Sequence, residues 1–276
     1  MRSLCQKSLT AFAAAIAAAS SLAQEAGGLP LWEIGAVGVG VAQQAYPGAS
    51  ARVNTGLLLP YLIYRGEYLR ADRSGVELRA VKTPKFELDI GFAGAFGASS
   101  DDIEVRRGMP DLGTLGQFGP RAKWHLGAGP MQGKWRAQFP LRGVFDLNDH
   151  LAYKGMAFEP ELIFERSGLG GWNYNASIGA MWGNQQLADT YYGVAPIYAT
   201  PQRPAYVANS GVIAWRLWTG FWRDLSPDLR LFGFARLDSV GGTANASSPL
   251  VQQQNGVSVG LGFTYTWKRS DRRAAD

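Results

Sequence analysis

The chain has 276 residues, a formal charge of +5, 18% charged residues, 35 glycines and 12% aromatics. That is well below the roughly 25% charge of soluble domains, so a lipid surround fits the composition better than water. The single cysteine, Cys5, sits in the leader described next, which excludes disulfides, thiolate metal sites and cysteine nucleophiles from the remainder. Arg2 and Lys7 also belong to that leader, and the end from Lys268 carries four bases against two acids. The body between them is close to neutral and has no electrostatic footprint for nucleic acid.

In chain order, Met1 to Ala23 reads as a secretory signal. Arg2 and Lys7 give a basic start, Leu9 to Ala19 an apolar stretch, and Ser21-Leu22-Ala23 a small-x-small cleavage site, so the mature chain is expected from Gln24. The longest unbroken apolar run after it is Leu57 to Tyr64, far short of the ~20 residues of a spanning helix. A membrane crossing would therefore use strands. No segment after residue 30 sustains the i, i+3, i+4, i+7 period of a helix, whereas many alternate at period two.

Weaker strands are expected near 33–42, 55–64, 67–72 and 75–82. The first clean one follows: Phe86, Leu88, Ile90, Phe92, Gly94 and Phe96 share one face, with Glu87, Asp89, Gly91, Ala93 and Ala95 on the other. After a strand near 118–127, Trp135, Ala137, Phe139, Leu141, Gly143 and Phe145 alternate with a face that includes Arg136 and Arg142. A strand near 153–164 precedes Trp172, Tyr174, Ala176, Ile178, Ala180 and Trp182, which oppose small and polar residues. Strands near 210–223 and 228–238 lead to the last, in which Val257, Val259, Leu261, Phe263, Tyr265 and Trp267 oppose Ser, Gly and Thr. Gly38-Val39-Gly40 and Gly91 to Gly97 look like dinucleotide loops, but no helical pattern follows either and both read as small strand residues.

Alternation alone also fits a soluble barrel with its apolar face inward; aromatic spacing decides. Phe86 and Phe96, Trp135 and Phe145, and Trp172 and Trp182 are pairs ten residues apart on the apolar faces. Ten residues at ~3.3 Å, tilted by ~40°, rise about 25 Å, the height of a lipid-facing band between two aromatic girdles. These six and Trp267 are the expected membrane-interface aromatics. The fold class is thus all-β: a transmembrane antiparallel up-and-down β-barrel of about twelve strands over residues 24–267, with ten as the alternative if the weak pair at 67–82 does not span. An even count puts both termini in the periplasm, and the long connections at 43–54, 97–117, 183–209 and 239–256 all fall on the outer side.

The inward face carries Glu87, Asp89, Arg121 and Lys123, with His125 at the same parity as a lumen hydrogen-bonder. Arg136 and Arg142 lie across a hairpin from Glu159 and Glu161, within reach of diagonal pairing. A lumen braced by ion pairs suits this set better than a charge-selecting constriction. Asp101-Asp102 and Asp149-His150 in outer loops raise the thought of a rim hydrolase, yet Asp in loops serves turn chemistry and no serine stands in a nucleophile context. Two separated histidines supply no zinc site, and no cofactor is implied.

Three stretches resemble the MipA/OmpV family of outer-membrane proteins. They are Tyr46-Pro47-Gly48 with Leu58-Leu59-Pro60-Tyr61-Leu62-Ile63-Tyr64, then Tyr191-Tyr192-Gly193-Val194, and finally Ser248-Pro249-Leu250-Val251 before the closing strand Phe263-Thr264-Tyr265-Thr266-Trp267. The resemblance implies a non-enzymatic barrel in the bacterial outer membrane, surrounded by lipid. It also implies a scaffolding role that links a murein hydrolase (a lytic transglycosylase) with a peptidoglycan synthase; a small-solute channel is the alternative. Family chains usually stop at the aromatic residue equivalent to Trp267, whereas here a basic tail, 268–276, follows and is expected to face acidic partners or cell wall.

Overall fold

A computed structural model describes residues 29–65, 69–72 and 75–274, with side chains described for all of these except 69–72 and 75–82. The expected leader, 1–23, lies outside the described residues. The alternating stretches form strands β1 (Trp32–Gln44), β2 (Arg52–Arg65), β3 (Leu69–Asp72), β4 (Gly75–Lys82), β5 (Phe86–Ala95), β6 (Leu115–Ala128), β7 (Lys134–Asp146), β8 (Ala152–Phe158), β9 (Glu161–Leu169), β10 (Trp172–Gly183), β11 (Gly211–Asp224), β12 (Leu229–Ser239) and β13 (Asn255–Arg269). A helix, α1, spans Gln185–Tyr192.

All pairings are antiparallel, and they run round in a ring: β1 pairs with β2 and with β13, while β10 pairs with β11. Lipid offers no partner for backbone amides, so this mutual satisfaction is what lets strands cross it. Strands β8 and β9 occupy one position, since both pair with β7 on one side and β10 on the other. Counted so, the described residues give twelve positions. The sequence suggested one strand at 153–164; the structure interrupts it at Glu159-Pro160 and prolongs it to Leu169. The cause is local. Pro160 has no N–H for the ladder, and proline within sheets marks bulges. The Pro160 carbonyl still accepts from Ala180 N at 3.2 Å, and Glu159 N donates to the Pro140 carbonyl at 3.1 Å. The thinnest joint is β2 to β3, where Tyr64 pairs with Ala71 and Arg65 with Arg70. The weak pair at 69–82 thus takes its place in the ring with strands of only 4 and 8 residues.

The four clean strands face as their alternation requires. Glu87, Asp89, Gln138, Arg142, Val144, Asn175, Ser258, Thr264 and Thr266 are buried inside, while Ile90, Leu141, Ile178 and Leu261 are exposed outside. The lumen, however, is not polar all round. Val37, Tyr61, Ile63, Trp222 and Phe232 form an apolar cluster on the inner face of β1, β2, β11 and β12. Inward glycines make room for it, since a Cβ at Gly262 would stand 2.7 Å from the Phe232 ring. Polar side chains line the rest of the lumen and recur on these same strands toward their ends, as Glu33, Arg65 and Asp238.

Sequence periodicity missed α1, which has 8 residues and buries Leu187, Ala188, Tyr191 and Tyr192. Two turns are too short for the window in which a helical period shows. Asn184 caps it by accepting from Leu187 N at 3.1 Å. Past Arg269 the backbone goes on pairing: Ser270 N donates to Trp32 O at 2.9 Å, Leu31 N to Arg272 O at 2.8 Å and Ala274 N to Leu29 O at 2.8 Å. As far as Ala274 the basic tail is therefore a continuation of the β1–β13 ladder below the barrel.

Candidate functional site

The largest buried cluster is not in the barrel wall but across its outer mouth. Four outer loops fold inward and meet there. They bring Tyr46 and Ala49, then Ile103 and Leu112, then Leu187, Tyr192 and Val194 of the α1 segment, and lastly Val240 and Leu250. Their floor is the inward outer end of the strands, Leu115, Val144, Ala157, Met181 and Ala214. Helix α1 seats closely on β8, where a Cβ at Gly155 would stand 2.6 Å from Leu187 N.

The loop portions of the three stretches that carried the family resemblance converge in this lid, while residues 58–64 and 263–267 lie in β2 and β13 of the wall. Tyr46 Oη donates to the Leu250 carbonyl at 2.8 Å, and Tyr192 Oη donates to the Pro47 carbonyl at 3.0 Å. Ser248 Oγ donates to the Tyr192 carbonyl at 2.8 Å, and the Tyr46 and Tyr192 rings meet edge to face at 6.3 Å. Gly48, at φ +90°, accepts from Gln252 N at 2.8 Å; a left-handed residue here turns the Tyr46-Pro47-Gly48 loop back over the mouth. Gly193 and Val194 continue the chain out of the helix, and Val194 bridges to Tyr206. Sequence reading gave these motifs as separate stretches. It could not show that they are one structure.

Two arginines and an asparagine that sequence reading passed over tie the loops together. Arg106 Nη1 donates to the Tyr191 carbonyl at 3.2 Å, at the negative end of α1, and its guanidinium lies 5.7 Å from the centre of the Tyr46 ring. Arg203 donates to the carbonyls of Tyr198, Val105 and Arg107. Asn245 Oδ1 accepts from Asn209 N at 2.8 Å while its amide donates back to Asn209 O at 2.8 Å. Burial pushes the phenols of Tyr46 and Tyr191 up to about 12, and that of Tyr192 well above its ordinary value. Burial also draws Arg106 below its ordinary value, with the Tyr46 phenolate side of the balance opposing it.

Below the lid the lumen is braced by ion pairs. Asp89 takes Arg121 at 3.0 Å and Lys123 at 2.6 Å, and Glu87 takes Lys123 at 3.5 Å. Arg142 pairs with Glu159 at 2.6 Å, as the hairpin geometry suggested. Arg136 does not follow: it pairs with Glu165 at 2.6 Å, and Glu161 instead accepts from Gln138. The break at Glu159-Pro160 splits the partner strand, so the register beside Arg136 belongs to β9 and places Glu165 diagonally across from it. Besides Glu165, the sequence reading missed Arg216, Arg236 and Asp238. Arg216 bridges Glu159 at 3.3 Å and Asp238 at 2.8 Å, and Arg236 reaches Asp238 at 2.7 Å. Their even-number parity on strands expected near 210–223 and 228–238 was the signal that could have found them. His125 shares the parity of Lys123 but is exposed near the end of β6, so it does not bond across the lumen.

The aromatic pairs lie on the outward face with partners from neighbouring strands. Phe86 meets Trp124 at 5.1 Å, Trp135 meets Phe164 at 5.0 Å, Trp172 meets Phe221 at 5.6 Å and Phe145 stacks on Phe118 at 5.0 Å. Phe96 follows the end of β5, and Trp182 and Trp267 are exposed. Asp101 and Asp102 lie exposed in one single-turn helix, while His150 is fully exposed beside Asp149 on another loop, its Nδ1 3.9 Å from the carboxylate. Among the described residues no hydrogen bond or ion pair joins the two sets, and no cluster of metal-ligating side chains occurs.

Residues 35–267 match the family described as MltA-interacting protein MipA. A comparison with curated proteins found no match. Among solved structures, an outer membrane channel from Pseudomonas putida F1 is 10% identical with a TM-score of 0.48, covering 90% of this chain and 100% of that one. The NanC porin is 9% identical at a TM-score of 0.40 over 83% of this chain and 98% of its own. OprB of Pseudomonas putida is 8% identical at 0.38 over 86% and 94%.

Proposed function

Taking as premise that this chain belongs to the MltA-interacting protein MipA family, we propose that it is a non-conducting, non-enzymatic barrel that works by holding partners at the outer membrane. The first partner under this reading is a murein lytic transglycosylase of the kind the family description names, with a peptidoglycan synthase as the second. One observation carries the non-conducting part: the outer mouth is filled by a packed apolar core built from four loops. Beneath it, inward charges spend themselves on one another rather than on a passing ion. A solute path would have to break both.

The test has two arms. Purified protein in planar bilayers should give no steady single-channel steps, and immobilised protein should retain a purified lytic transglycosylase from the same envelope. Regular conductance steps would replace this reading with that of a small-solute channel. Failure to retain the enzyme would leave a plugged barrel with a different partner.

A further inference from the structure

The two ends of the barrel differ in charge in a way that the near-neutral body conceals. At the outer end Asp101, Asp102, Glu104, Asp111 and Asp149 are exposed, against the exposed bases Arg52 and Arg107. At the end where the described chain begins and finishes, most of the described acids are engaged: Glu33 with Arg65 at 2.8 Å, Glu165 with Arg136 at 2.6 Å, Asp224 with Arg230 at 2.5 Å, and Asp228 with Arg269. The described turns and tail also expose Lys85, Lys134, Lys268 and Arg272, with Asp271 as the exposed acid beside them. In the ring, Lys85 stands between β4 and β5, Lys134 at the start of β7, and the others below the β1–β13 ladder. The positive charge is spread round the circumference.

We propose that this periplasmic rim and tail bind the cell wall polymer itself, peptidoglycan, through the carboxylates of its peptide stems. Three observations favour it. The tail is held in place by the ladder to residues 29–31, so its bases are presented before any partner arrives. Six residues past Trp267, at ~3.3 Å each and tilted by ~40°, carry Arg273 about 15 Å below the aromatic level, beyond the ~8 Å over which lipid headgroup charge is felt at physiological salt. Charge distributed over several short turns and the tail matches a repeating polyanion better than one shaped protein face. The inference extends the proposed function from the enzymes to the polymer they act on, and it stands or falls separately.

Full-length protein in a non-ionic detergent, mixed with purified sacculi and centrifuged, tests it. The wild type should pellet with sacculi at low salt and be released by about 0.5 M NaCl, where screening reaches only a few Å. K268E/R272E/K85E/K134E should lower the pelleted fraction at least about five-fold, as expected when a binding field is reversed in sign. Heat-dependent gel migration of the variant checks that its barrel is intact. The proposal is overturned if wild type stays in the supernatant, if the variant pellets as well as wild type, or if anionic phospholipid vesicles recover the protein and sacculi do not. Enzyme capture by the same variant reads the scaffold proposal on its own, and neither result there bears on binding of the polymer.

Discussion

Tyr192 shows how much rests on single side chains in the lid. Its ring is 1% exposed and its hydroxyl donates to the Pro47 carbonyl, so Tyr192→Phe leaves a buried acceptor without that donor at a cost of about 1–3 kcal/mol. Faster proteolysis or hydrogen exchange across 184–210 should report it, with the heat-dependent gel shift of the barrel unchanged. The raised phenols set a pH window. Below pH 10 both folded and unfolded tyrosines are neutral and the lid has its full stability; above it the unfolded side chains ionise first, so stability falls as pH rises from 10 through about 12 for Tyr46 and Tyr191. Lid protection factors, which divide out the base-catalysed intrinsic rate of exchange, should hold from pH 8 to 10 and fall above 10. In the lumen, Asp238→Asn removes the carboxylate shared by Arg216 and Arg236, and an uncompensated buried charge costs about 3–5 kcal/mol. Asp102→Asn, at an exposed site, should stay within about 0.5 kcal/mol. Urea midpoints in lipid vesicles would separate the two.

At the scale of elements, strands were legible because a sealed wall between lipid and lumen forces strict alternation, and every side chain declares its face. Where alternation failed, chemistry explains it. Pro160 breaks the β8–β9 position, and that slip moved the partner of Arg136 from Glu159 and Glu161 to Glu165. The glycines of β13 are equally strict. A Cβ on Gly262 would stand 2.4 Å from the Gly38 carbonyl oxygen as well as 2.7 Å from Phe232, so Gly262→Ala must part β13 from β1 or displace the ring, at about 1–3 kcal/mol. A lowered urea midpoint with retained strand signal in circular dichroism is the expected result. Helix α1 went unread since eight residues leave little period to detect, and its stability comes from what it packs on rather than from propensity.

For the whole molecule, the lid, the brace and the apolar arc together make a barrel filled from within. If the lid is the seal, deleting residues 185–208 while joining β10 to β11 should introduce conductance in planar bilayers where the intact protein has none. Silence from that variant would assign the seal to the braced lumen instead. The ring of backbone bonds should keep the strands folded in cold detergent-bearing gels and let boiling slow or speed their migration.

By itself the sequence determined the class of fold, a count of about twelve strands with ten as the alternative, and the side that the clean strands show to lipid, because these follow from period two and from residue type; the stretches that mark the family were legible as motifs. Tertiary structure alone decided that Tyr46-Pro47-Gly48, Tyr191 to Val194 and Ser248 to Val251 form one lid, that Asp238 joins two arginines, and that the tail extends a ladder. Those are contacts between residues up to about two hundred positions apart, as Tyr46 and Leu250 are. Periodicity is a local property, whereas closing loops over a mouth depends on where a ring of strands happens to bring their ends.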